Sequence, residues 1–123
     1  MPQAKTMTLR EARVAFTHFI CQLCLEAGAY APGYEIALGE GMDRRTVNDP
    51  TSDHMAGSLH DVGLAQDIVL YKHGTYLTKT EDYEFLGVLW ESWGRAFELP
   101  LYWGGRFTTP DGNHFSFGWN GKK

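Results

Sequence analysis

The sequence predicts an α+β fold: a small, mostly antiparallel sheet with helices packed against it. Two stretches carry apolar residues at helical spacing, and shorter stretches alternate as strands do. Their order is helix, strand, long loop, strand, helix, strand, which suits helices laid on one sheet. The 123 residues fit a single domain, 1–123, with a helical scaffold at 9–27 and a motif-bearing core at 34–119. At 43% hydrophobic and 21% charged, the composition is that of a globular protein, not a disordered tail. A net charge of −4 argues against a basic nucleic-acid footprint.

Thr8-Leu9-Arg10-Glu11 reads as a capping box, with Thr8 as N-cap and Glu11 reaching back. Behind it Ala12, Phe16, Phe19, Ile20, Leu23 and Ala27 form one apolar face, so a helix is predicted over 9–27. Gly28 is the expected stop. Residues 34–38 alternate and predict a short strand. From 39 to 58 the pattern disappears into turn-forming residues, and a loop that long is usually functional or disordered. Residues 66–71 predict a second strand, followed by a turn at His73-Gly74. A second helix is predicted over 81–97, with Phe85, Leu86, Leu89, Trp90, Trp93 and Phe97 as its apolar face. Trp103-Gly104-Gly105 and Pro110-Asp111-Gly112 are turns, and 114–119 is a closing strand.

No membrane insertion is expected, because the apolar stretch 16–25 is far shorter than the roughly 20 residues a spanning helix needs. Glu11 and Glu26 bracket that stretch, which does not suit a secretory signal. Two cysteines cannot build a disulfide framework, so a reducing compartment is the default. Cys21 and Cys24 form a Cys-x-x-Cys pair on one side of the first helix, where buried packing is expected.

Among the five histidines, His18 reads as structural or partly exposed and His73 as a solvent-facing turn residue. His60 and His114 differ, because each has a carboxylate and small residues arranged around it. In Ser58-Leu59-His60-Asp61-Val62-Gly63-Leu64-Ala65-Gln66-Asp67, a strand starting near Ala65 puts Asp67 on the face of Ala65 and Val69. Gly63 lets the chain turn tightly enough to bring His60 back beside Asp67. Imidazole and carboxylate are ordinary zinc donors, although a His and an Asp also meet by chance in such segments. In Asp111-Gly112-Asn113-His114-Phe115-Ser116-Phe117, alternation sends Phe115 and Phe117 to the core and His114 with Ser116 to the other face. Asp111 stands three positions earlier, placed either to act as a base beside a metal or simply to cap its turn.

With His60, Asp67 and His114 as donors and Asp111 as base, the chain resembles the zinc-dependent cell-wall peptidases. That family includes bacterial D-Ala-D-Ala carboxypeptidases and dipeptidases and phage L-alanyl-D-glutamate endolysins. Its Ser-x-His-x-x-Gly-x-Ala-x-Asp hallmark is met by Ser58, His60, Gly63, Ala65 and Asp67, and its carboxylate-x-x-His hallmark by Asp111 and His114. Trp103-Gly104-Gly105-Arg106-Phe107 and Leu89-Trp90-Glu91-Ser92-Trp93-Gly94 look like the endolysin branch.

The resemblance implies Zn2+ held by His60, Asp67 and His114 at the sheet edge under the long loop, with Asp111 as catalytic base. It also implies a substrate-contacting arginine, for which Arg44 is preferred over its neighbour Arg45; a salt bridge to Asp43 or Asp49 is the alternative role. Ser58 is expected to assist by hydrogen-bonding a substrate carboxylate or a neighbouring ligand, and Trp103, set among glycines, to face a groove. His54 and Asp61 fall outside the motif positions and are read as rim residues. The implied partner is the stem peptide of bacterial peptidoglycan, and the implied activity is L-alanyl-D-glutamate endopeptidase of a phage endolysin. A D-alanyl-D-alanine carboxypeptidase would share the same central residues, and a zinc-stabilised wall-binding module without turnover is a third reading. A monomer is expected, made in the host cytoplasm and released by a partner to the periplasm or cell wall.

Overall fold

The computed structural model describes residues 7–30, 33–39 and 58–123. Helix α1, Leu9–Tyr30, opens on the predicted box: the Thr8 N–H donates to Glu11 Oε1 at 2.8 Å and the Glu11 N–H to Thr8 Oγ1 at 3.1 Å. All six residues of its predicted apolar face are buried. The helix runs past Gly28, where nothing lies within 4 Å of a modest side chain and nothing forces a stop. Cys21 is exposed and Cys24 half-buried, so the expected burial of the pair holds only for one member. Burial beside Cys21 pushes the Cys24 thiol pKa up.

Strand β1, Tyr34–Leu38, has its predicted bounds and pairs antiparallel with β2, Ala65–Lys72. Two residues with positive φ, His73 at 48° and Gly74 at 81°, turn β2 into β3, Thr75–Tyr76. Helix α2, Glu84–Phe97, starts later than the periodicity suggests, because Thr80–Tyr83 form a 3-10 turn. Tyr83 is committed there: its hydroxyl donates to the Leu77 carbonyl at 2.8 Å and accepts from the Leu70 N–H at 3.0 Å. Strand β4, Leu101–Trp103, leads through a 3-10 turn at Gly104–Arg106 to β5, His114–Phe117. β5 ends before the expected residue 119, since the Gly118 N–H donates to the Pro100 carbonyl and Trp119 bridges to Lys122.

The sheet runs β1-β2-β5-β4, with β3 beside β2, and every pairing is antiparallel. Ile68, Leu70, Phe115, Phe117, Leu101 and Trp103 share the face covered by the helices. Trp90 of α2 is the hub: its ring lies edge-on to Phe16 at 5.9 Å and to Phe115 at 5.8 Å. Its Nε1–H donates to the Ser116 carbonyl at 3.2 Å, so the indole is satisfied in the core. Among the described residues no helix is long and apolar enough to cross a membrane.

Candidate metal centre

His60 sits in a 3-10 turn, Leu59–Val62, that is fastened at both ends. At its start the His60 N–H donates to Ser58 Oγ at 3.2 Å, and the Ser58 N–H donates to Asp61 Oδ2 at 3.1 Å. The hydroxyl expected to meet substrate therefore also shapes the turn that carries His60, and Asp61 is its capping partner. At the other end Gly63 adopts φ 76° and ψ 27°, a left-handed conformation that glycine enters without strain. Leu59 is buried, and Arg13 Nε of α1 donates to the Val62 carbonyl at 2.6 Å. That contact, 49 residues apart in sequence, leaves no local signal and was not anticipated.

Asp67 and His114 are directly opposed in the β2–β5 ladder, so they project from one face. These are inner strands, and the cluster therefore lies within the sheet at the opening of β5, not along an edge strand. Alternation holds for β5, yet both of its faces are closed: His114 is 7% exposed and Ser116 is fully buried. Phe107 packs beside His114 at a tilt, with ring centroids 5.2 Å apart, a neighbour the spacing argument did not single out.

Asp67 Oδ1 lies 3.7 Å from His60 Nε2 and 3.8 Å from His114 Nδ1. Those separations are long for direct hydrogen bonds. They approach the ~3.4 Å between two donors that each sit about 2.0–2.1 Å from a tetrahedral zinc. Among the described residues this trio brings one donor atom each within 4.8 Å of the others. His114 Nε2 is buried without a hydrogen-bond partner, and burial lowers the imidazole pKa to about 4. The ring is thus neutral at pH 7, the state in which histidine ligates metals. The donor set, the spacing and the neutral imidazole all fit a divalent ion such as zinc.

Asp111 is held by its backbone: its N–H donates to the Gly104 carbonyl at 2.9 Å, and its carbonyl accepts the His114 N–H at 3.1 Å. A side chain at Gly104 would collide with the Asp111 carbonyl and crowd His114 Cβ, so the turn requires glycine there. Asp111 keeps contact with solvent, yet partial burial of its carboxyl raises the pKa above the usual carboxylate value. Trp103 does not face a groove. It is 3% exposed, lies on Gly87 and Gly105, and donates Nε1–H to the Gly112 carbonyl at 2.6 Å. Its contribution is to anchor the turn that carries Asp111. Arg44, Arg45 and His54 lie outside the described residues.

The crystal structure of the Serratia marcescens L-Ala D-Glu endopeptidase ChiX matches with a TM-score of 0.59 at 21% identity. The match covers 92% of this chain and 88% of that one, and it is a likeness of fold. No curated protein sequence matches the chain. The family model for D-alanyl-D-alanine carboxypeptidase matches residues 51–117, a segment containing Ser58, His60, Asp67, Asp111 and His114. Since that segment is more than half of the sequence, the chain belongs to the D-alanyl-D-alanine carboxypeptidase family of metallopeptidases.

Proposed function

We propose that this peptidase is a zinc-dependent L-alanyl-D-glutamate endopeptidase acting on peptidoglycan stem peptides, of the phage endolysin kind. The observation that carries the reading is the convergence of His60, Asp67 and His114, with the Asp111 backbone tied to His114 through its turn. The three donors would hold zinc, which when bound supplies a Lewis acid for the scissile carbonyl and lowers the pKa of the attacking water. Asp111 accepts the proton from that water and returns it to the departing amine. Its raised pKa suits a group that must both take and give a proton. Arg44 binds a substrate carboxylate, and Ser58 keeps the His60 turn in shape while offering its hydroxyl to the substrate. The protein works as a monomer, is made in the host cytoplasm and reaches the wall through a release partner.

Digestion of purified peptidoglycan by the zinc-loaded protein, with mass spectrometry of the new termini, tests the bond. New L-alanine carboxyl ends and D-glutamate amino ends are expected. The name of the matched family favours a second reading, D-alanyl-D-alanine carboxypeptidase, and release of free D-alanine alone would establish that instead. Wall binding without any new termini would point to a non-catalytic module. Asp111→Asn should retain zinc and fold but lose at least about 100-fold in hydrolysis rate. Undiminished hydrolysis would remove Asp111 from the reaction.

A further inference from the structure

The sheet face that presents the three donors continues beyond them. Asp67 opposes His114, and Tyr71, four positions further along β2, opposes Tyr76 of β3. Side chains alternate along a strand, so 67, 71 and their partners share one face. Where β3 leaves the sheet, a cleft of about 260 Å³ opens between the 77–80 segment and the 110–113 turn. Its lining includes Tyr76, Thr78, Lys79, Thr80, Asp111 and Asn113, which is rich in hydroxyl, amide and charged groups.

We infer that this cleft receives the residue on the amine side of the scissile bond and that Lys79 binds a carboxylate carried by that residue. The inference rests on the peptidase reading above. Asp111, the group assigned to protonate the departing amine, is also a wall of the cleft. Through Asp111 the cleft adjoins the place where the residue bearing that amine would leave. Lys79 is the cationic side chain in the lining, and its ammonium has no ion-pair partner among the described residues. Asp82, its acidic neighbour, accepts the Lys79 backbone N–H at 3.1 Å, which leaves the ammonium for a ligand. In an L-alanyl-γ-D-glutamyl peptide the departing residue carries a free α-carboxylate next to its amine. An ammonium would distinguish it from the neutral α-carboxamide of D-isoglutamine.

The test compares two synthetic stem peptides, one with the free D-glutamate α-carboxylate and one with the carboxamide. On zinc-loaded protein, Lys79→Gln should raise KM for the carboxylate peptide about tenfold, the loss of one charge-assisted contact, and shift the carboxamide peptide by less than about twofold. Lys79→Arg should restore most of the preference. Dissociation constants for both peptides, read by fluorescence anisotropy on metal-free protein, should show the same divergence. Equal effects on both peptides, or none on either, would overturn the role of Lys79. A parent that hydrolyses neither peptide overturns the peptidase reading, and the anisotropy comparison then decides whether Lys79 recognises carboxylate.

Discussion

His114 is buried as a neutral ring, and burial has a consequence for stability that can be measured. The unfolded chain protonates this histidine near its ordinary value of 6.5, whereas the folded protein refuses the proton until about 4. Between those values the unfolded state binds more protons, so stability rises with pH. In the metal-free protein this contribution is fully present above pH 6.5 and is lost as pH falls towards 4, a change on the order of 3 kcal/mol. Urea unfolding between pH 7.5 and 4 should therefore show a steeper loss for the parent than for His114→Asn. Equal losses would mean that His114 is not the buried base described here. At this scale the sequence was most informative where the argument was local: Asp67 follows His60 by seven positions, and one strand alternation fixes the face of the second. Trp103 was misread because flanking glycines look like an open turn. In the fold the ring lies against the bare backbone of Gly105 and of Gly87 in α2, and burial of that kind depends on an element distant in sequence.

Among the elements, the turn carrying His60 depends on α1 as much as on its own cap. Arg13 reaches across to the Val62 carbonyl, and its Nε would lie 3.4 Å from any Cβ placed on Gly63. Arg13→Ala removes this clasp from an exposed side chain, so global stability should fall by only about 1 kcal/mol. Zinc affinity should fall further in proportion, about tenfold, because an outer partner that orients a ligand commonly matters to that extent. Competition against a chromophoric chelator measures it, and Arg13→Lys should recover part of the loss. Unchanged affinity in the alanine variant would confine Arg13 to packing. Long periodic elements were legible: the capping box and apolar face of α1, and both ends of β1. Strands β3 and β4, of two and three residues, were not, since alternation needs more positions than they have. Their existence follows from partners supplied by β2 and β5.

Across the whole molecule, the proposed ion joins a turn, an inner strand and the start of β5, but it is not what fills the core. Trp90, Phe115, Phe117, Leu23, Leu64, Ile68, Leu70 and Leu86 are fully buried on the helix-facing side of the sheet or within α1 and α2, away from the donor face. A core of that kind should survive without metal, in contrast to small domains that unfold when their zinc is removed. Zinc would then act by linkage, favouring the folded state by about 2.7 kcal/mol when present at ~100 times its Kd. For a chain of this length that corresponds to a rise in Tm on the order of 10 °C. Chelation should lower Tm by a similar amount while leaving the far-ultraviolet circular dichroism at 25 °C unchanged. Hydrogen exchange should locate the difference, with amides of Leu59–Val62 and the opening of β5 losing protection while α1 and α2 keep theirs. Loss of secondary structure on chelation would show that the ion, and not the aromatic core, is what permits this chain to fold.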